Sequence, residues 1–380
     1  MRVRTRPLAL VIGVALLACS AGVGAGCGGD DEGGGAAGGD GSGEIKMASP
    51  LIGPKNDKSF AQAAYEGMQE AVEQQDNLKL TATLENRETD QERTDAVETL
   101  APINDLVVGV SASFGPVFDA LAPRFPETYF LDIAGATAQF HDNVTGLANE
   151  WGAPAYVIGV VTARMTEAKV VGYVGGAEIP PTVHAQNGFV AGVKSVDPSI
   201  QVLTNITGDF NDVAKGKAAT ESMIADGADV IFPFLDAGIE GAYAAGRESG
   251  KTPPMFKITI ADCDAYPAMV GTEIVDNKTM TAELIDRYVK GTLEPGNIYL
   301  DLQSPELQTF ELCPKYAKDE ELAQATKETI EKLNAGEIEL PENARYPRPN
   351  FPYKEGLDGE TQNTQGYEEQ LDGGSQAYVP

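Results

Sequence analysis

The sequence predicts an α/β body of two lobes, each a mainly parallel sheet flanked by helices, joined by a hinge. Three observations lead there. Short β-rich runs alternate with helical runs from residue 45 onward, the order of strand–helix–strand units on a parallel sheet. The alternation completes one round before residue 150 and starts again after Trp151. About 300 residues lie between Glu44 and Leu340, more than a single core usually holds.

The first round places strands at 45–51, 78–84, 106–111 and 129–133, with helices at 59–75, 89–100 and around 118–122. The second runs helix 153–165, strand 169–174, helix 182–196, strand 200–206, helix 213–226, strand 229–233, helix 238–249 and strand 255–260. Region 273–301 adds a strand, a helix over 282–290 and another strand; an acidic amphipathic helix over 319–335 stops before Gly336. These segments divide into lobe 1 at 44–150 plus about 262–295, and lobe 2 at 151–261 plus about 296–340. Ligands of open α/β sheets lie beyond the carboxyl ends of the strands, so two facing lobes form a cleft that closes by hinge motion.

The ends differ in character. Arg2, Arg4 and Arg6 precede an apolar run at residues 8–18, and small residues follow, the layout of a bacterial export signal over 1–26. The run is shorter than the roughly 20 residues that span a bilayer. Leu16-Leu17-Ala18-Cys19 and Ala25-Gly26-Cys27 compete as lipidation sites, and the Gly-Gly-Asp-Asp-Glu run after Cys27 favours Cys27. Residues 27–43 have the composition of a flexible tether. Residues 341–380 are polar with few aliphatics, which predicts disorder; Tyr346, Phe351, Tyr353, Tyr367 and Tyr378 offer the alternative of a strap lying on the body.

The formal charge is −29, and the leader carries three of the arginines. So acidic a chain lacks the Lys and Arg that phosphate contacts need, which excludes nucleic acid as a partner. Its lipid would hold it on the extracytoplasmic face of the cell membrane, since its own charge would not. Catalytic equipment is sparse. His141 and His184 are the two histidines, without metal spacing, and are expected as surface or capping residues. No GxSxG, Walker lysine motif or post-strand GxGxxG occurs, and Gly175-Gly176 reads as a tight turn. No enzyme activity, metal or cofactor is expected. Cys263 and Cys313 lie in the body; export permits a disulfide, and spacing alone leaves it open.

Specific strings then carry a resemblance. Asn56-Asp57-Lys58-Ser59-Phe60-Ala61-Gln62 through Gly67 resembles the "DKSFNQ…EG" signature of the basic membrane protein (PnrA-like) family of lipoproteins, solute-binding components of ABC transporters. In the family's order follow Val108-Gly109-Val110-Ser111 with Phe114, Phe125-Pro126 to Asp132, Tyr156-Val157-Ile158-Gly159 and Val171-Gly172-Tyr173-Val174-Gly175-Gly176 with Asn187-Gly188-Phe189 and Gly192. Phe210-Asn211-Asp212, Gly227-Ala228-Asp229-Val230-Ile231 and Asp262-Cys263-Asp264 extend it, covering about 45–335. The resemblance implies a type I periplasmic-binding fold with three crossovers. It also implies a purine nucleoside or similar heterocycle as solute, and an ABC permease as partner. A monomer is expected. A sensory lipoprotein, or a receptor for another solute such as a sugar, is the alternative.

Site residues follow from both readings. Phe60, in the first turn of a helix, stacks on a flat base or packs as a core residue with Ala64 and Met68; Asp57 accepts from a base or caps the helix. Gln62, Ser111 and Phe114 belong to matched strings; Phe234 and Asp236 follow the strand at 229–233. Asp262 or Asp264 holds hydroxyls or simply ends a strand in solvent. Lys278 matches the family's lysine once about three residues are gapped. Two departures stand out: Ala61 replaces the family's asparagine, and Glu150-Trp151-Gly152-Ala153-Pro154 replaces its polar "fregeg" stretch, putting Trp151 at the crossover as a stacking face or as buried packing.

Overall fold

The computed structural model describes residues 43–362. The leader, Cys19, Cys27, the tether up to residue 42, Tyr367 and Tyr378 lie outside the described residues. The chain opens with β1 (Ile45–Pro50), α1 (Phe60–Gln74), β2 (Leu78–Leu84), α2 (Asp90–Leu100), β3 (Leu106–Val110), α3 (Gly115–Leu121), β4 (Tyr129–Ile133) and β5 (Val144–Asn149). It then crosses into α4 (Gly152–Met165), β6 (Val170–Gly175), α5 (Pro180–Val196), β7 (Gln201–Ile206), α6 (Val213–Ala225), β8 (Val230–Phe234), α7 (Ile239–Glu248), β9 (Met255–Thr259) and β10 (Met269–Val275). Last come α8 (Asn277–Val289), β11 (Gly296–Leu300), β12 (Gln308–Leu312), α9 (Glu320–Asn334), β13 (Tyr353–Glu355) and β14 (Thr361–Gln362).

Two sheets result. One has the order β14-β13-β11-β5-β4-β3-β1-β2, the other β12-β10-β9-β8-β6-β7. All neighbours are parallel except β13–β14 and β10–β12. Strands β3, β4, β5, β8, β9 and β11 are buried along their whole length, as expected where helices cover both faces of a parallel sheet. Part of the acid content serves local structure. Thr89 and Glu92 close a capping box on α2, and Asp212, Asp276 and Asp319 accept amides at the starts of α6, α8 and α9.

Several expectations need correction. The stretch 269–275, expected in lobe 1, forms β10 in the second sheet; β11, expected in lobe 2, forms in the first between β5 and β13. The chain therefore changes lobe after β5, after β10 and again between β11 and β12, so the late strands alternate sheets. Strand β5 was not anticipated: Val-Thr-Gly-Leu-Ala-Asn is short and small-residued, and only its place between β4 and β11 makes it a strand. As far as Gln362, the polar tail is the strap rather than the disordered segment. Tyr346 and Phe351 are buried, and β13 extends the sheet beside β11. Arg287 holds the Leu357 carbonyl, and Lys354 pairs with Glu294 at 2.9 Å.

The family strings around Gly159 and Gly192 turn out to be packing devices. A Cβ at Gly159 would lie 2.3 Å from the Phe189 carbonyl oxygen, and one at Gly192 would lie 2.1 Å from that of Tyr156. Helices α4 and α5 therefore touch backbone to backbone behind the second sheet. Cys263 and Cys313 are joined in a disulfide within lobe 2, across Cα atoms 5.7 Å apart. Among the described residues, no helix is long and apolar enough to cross a membrane.

Candidate functional site

The two sheets present their carboxyl ends to a shared cleft, and the first wall of it is the start of α1. Lys58 takes a positive φ of 59°, which folds the segment back so that the Asp57 carboxylate covers the helix N-terminus. Its Oδ1 accepts the amides of Ser59 at 2.8 Å and Gln62 at 3.0 Å, and its Oδ2 accepts that of Ala61 at 3.0 Å. Asp57 is thus the cap of α1, one of the two roles the sequence left open. The Gln62 side chain serves the same turn, accepting from Lys58 and donating to Glu66. Across the cleft, the Ser59 hydroxyl donates to Thr259 of β9 at 3.3 Å, one direct hydrogen bond between lobes.

The same first turn of α1 delivers Phe60 to an apolar cavity of about 50 Å³. Ile52, Ser111 and Ala134 line it from lobe 1, and Ile179, Pro181, Phe210, Phe234 and Ile258 from lobe 2. Trp151, at the first crossover, closes the hinge end and meets Phe234 edge-on at 5.0 Å between ring centres. Phe60 borders this cavity while its ring also joins the core around Ala64 and Met68. The tight turn at Gly175-Gly176 makes room for a wall. A Cβ at Gly176 would fall 2.2 Å from the Phe210 ring.

A polar chamber of about 370 Å³ adjoins it, lined by Asp57, Lys58, Ser59, Gln62, Asp236, Glu240, Tyr243, Lys257 and Asp262 among others. Asp236 and Ile258 border both spaces. The Asp236 amide and that of Gly238 donate to the Phe210 carbonyl, which fixes the loop after β8. Asp236 Oδ1 is buried without a hydrogen-bond partner. Burial, followed by the nearby Asp57 charge, pushes this carboxyl up to about 7, against the facing Ser59 hydroxyl, Phe60 amide and Lys257. Asp57 is also raised by burial, in opposition to its three amide donors and Lys257.

Lys257 is the residue the sequence reasoning missed. It points from the buried centre of β9 into the polar chamber, and its ammonium donates to the Ile260 carbonyl at 2.6 Å. Burial lowers its pKa against the raising effects of Asp262, Asp236 and Asp57. A lysine in the apolar run Met-Phe-Lys-Ile-Thr was the available signal.

The other expected site residues scatter. Asp262 lines the polar chamber at its exposed edge. Asp264 is exposed beside it, its amide donating to Asp262. Phe114 is fully buried in the cluster of α2, α3 and the first sheet, stacked on Phe118 at 5.9 Å, and lies outside the cleft cavities. Lys278 sits on the outer side of α8, paired with Glu70 at 3.0 Å, so it does not act in the cleft. Neither histidine is simply exposed: His141 meets Asp119 at 3.0 Å, and His184 is buried edge-on to Tyr346.

Comparison with known proteins bears on the family and the fold. A family model described as ABC transporter substrate-binding protein, PnrA-like, matches residues 45–344. A protein of Listeria monocytogenes named CD4+ T-cell-stimulating antigen is 27% identical, over 90% of this chain and 99% of its own length. The ABC transporter nucleoside-binding protein BmpA of Lactococcus lactis is 28% identical, over 62% of this chain and 68% of its own. Among solved structures, an ABC transporter solute-binding protein from Aeropyrum pernix superposes with a TM-score of 0.70 at 18% identity, covering 78% of this chain and 94% of that one. The last likeness bears on the fold: the two-lobed architecture is that of periplasmic solute-binding proteins.

Proposed function

The chain belongs to the PnrA-like (Bmp) family of ABC transporter substrate-binding proteins, whose role is to bind rather than transform, and we propose that its solute is a purine nucleoside or similar flat heterocycle held between the closing lobes. Family members work outside the cytoplasm, associated with the membrane and with an ABC permease. The observation that carries the proposal is the cavity with Phe60 on one lobe, Phe210 and Phe234 on the other, and Trp151 at the hinge. Rings approaching from two bodies sandwich a flat ligand only when those bodies close, so binding is coupled to the hinge. The nucleoside-binding relative supports the choice of heterocycle. In the same reading a lipid on Cys27, with Cys19 as the alternative, tethers the receptor beside its permease; mass spectrometry of the N-terminal peptide distinguishes the two.

Thermal-shift screening against nucleosides, nucleobases, sugars and amino acids tests the assignment. A true ligand at 100 times its dissociation constant stabilises the fold by about 2.7 kcal/mol. A response to sugars alone overturns the aromatic-stack reading. For a nucleoside that binds, Phe60→Ala is expected to weaken affinity by roughly 1–3 kcal/mol, between about fivefold and 150-fold. Wild-type affinity in that variant, with its fold intact by circular dichroism, places the ring in the core alone.

A further inference from the structure

Which chemical group accompanies the flat ring can be argued from the four carboxylates and two ammonium groups of the polar chamber, Asp57, Asp236, Glu240 and Asp262 with Lys58 and Lys257. They are not equivalent. Asp57 already accepts three backbone amides, so its lone pairs are largely engaged. Asp262 is exposed, and water serves it. At the rim, Lys58 and Glu240 approach to 3.8 Å and offset one another. Lys257 is drawn to the Ile260 carbonyl and forms no ion pair within 4.0 Å among the described residues. Tyr243 of α7 lines the same space without charge.

Asp236 is what remains. It is 7% exposed, it stands where the aromatic cavity opens into the polar chamber, and its Oδ1 has no partner. Two other buried carboxylates, Asp132 and Glu273, also carry unpartnered oxygens, but neither borders a cleft cavity. A buried carboxylate without a donor is costly, and a charge-assisted donor recovers more than a neutral one. Once Lys58 and Glu240 offset one another, the remaining carboxylates outnumber the Lys257 ammonium, so an incoming positive charge is favoured and an incoming anion is not.

We infer that the solute carries a protonated nitrogen, an amine or amidine, attached to its flat ring, and that this group lodges against Asp236 while the ring lies among Phe60, Phe210, Phe234 and Trp151. This rests on the aromatic reading of the cavity but goes beyond the nucleoside assignment, because an ordinary purine nucleoside is uncharged. A cation beside Asp236 favours its ionised form, so binding is expected to release a proton below neutrality.

Two matched pairs test it on the purified full-length protein: tryptamine against tryptophol, and 5′-amino-5′-deoxyadenosine against adenosine. Within each pair the ring is constant and only the charged donor changes. Calorimetry near pH 8 is expected to show the amine bound at least about tenfold tighter than its alcohol in at least one pair. The preference is expected to shrink toward pH 5.5 and to vanish in Asp236→Asn. If only the indole pair behaves so, the nucleoside assignment falls and this inference stands. Equal binding of amine and alcohol overturns the inference and leaves the aromatic reading intact. A preference that persists in Asp236→Asn, or no binding by any of the four, also overturns it.

Discussion

Glu150 beneath the strap and Asp236 in the cleft are both buried, and burial pushes both carboxyls up. Their surroundings differ. Glu150 accepts the Tyr346 amide at 3.1 Å and pairs with Arg348, which also grips Glu355 and lies 4.1 Å over the Tyr299 ring. Both oxygens of Glu150 have a donor, and the donors come from this chain. Asp236 keeps an oxygen that nothing in the chain satisfies. Glu150 is thus closed upon itself, whereas Asp236, at the junction of two cleft cavities, is left incomplete. The strap touches both lobes: Asn187 of α5 donates to the Asn343 carbonyl at 2.8 Å, and His184 packs on Tyr346, while β13 pairs with β11. It therefore acts as a fourth tie beside the three crossovers.

The largest expected effect comes from breaking the closed side of the comparison. Arg348→Ala leaves Glu150 buried without its cation, and removal of one partner from a buried pair costs roughly 3–5 kcal/mol. Denaturant titration should show that loss, and Glu150→Gln in the same chain should restore much of it. A loss below about 1 kcal/mol would mean that water reaches Glu150 and that the strap is a loosely held surface segment.

How far the sequence reveals this contrast varies by residue. The alternation of strands and helices is legible because buried parallel strands are continuous apolar runs, and Asp57, Phe60 and Trp151 follow from their places at a helix start and at the lobe junction. Strand β5 is not legible, since only neighbours on both sides make so small-residued a segment extended. Nor is the exchange of β10 and β11 between sheets, which depends on pairing partners far along the chain. Lys257 was overlooked in favour of Lys278 because a family string can be aligned by spacing, while the direction of a side chain on β9 depends on the sheet's register. Phe114 was placed in the cleft because it follows Ser111 closely, yet the short turn after β3 sends its ring behind the sheet.

The open side of the comparison has a pH signature. Asp236 titrates at about 7 in the folded protein against an ordinary 3.8, so the native state keeps a proton that the unfolded chain has lost. Stability from this group is fully present below about pH 4 and is lost as pH rises through about 7. Asp236→Asn should therefore gain relative to wild type as pH rises across that window, by up to about 4 kcal/mol at about 1.4 kcal/mol for each of roughly three pH units, less what parting of the lobes relieves. Paired denaturation curves near pH 5 and pH 8 measure it. A constant difference between variant and wild type would show that the carboxyl is solvated.

Beneath the strap the sign reverses. Burial lowers His184 to about 4 from an ordinary 6.5, so the unfolded chain takes up the proton first and stability is lost as pH falls between those values. His184→Phe, which keeps a ring against Tyr346, should remove up to about 3 kcal/mol of acid sensitivity. The two variants should thus depart from wild type in opposite directions over overlapping ranges. Parallel departures would sink the contrast between cleft and strap.

The smallest effect separates the two lysines. Lys278 is half exposed on α8, 3.0 Å from Glu70, and Glu70 is itself partly exposed. Solvent screens such a pair, and Lys278→Ala should change neither melting temperature nor ligand affinity measurably. Lys257→Met, of similar length, removes the ammonium nearest the buried carboxylates of the polar chamber and leaves Lys58 at its rim. It raises no packing problem along β9, but it leaves Asp57, Asp236 and Asp262 without their nearby cation. If a protonated solute replaces that cation, the variant should bind the amine probes at least as well as wild type and the alcohols no better. A loss of amine binding in Lys257→Met, with Lys278→Ala unaffected, would instead make the lysine a direct ligand contact.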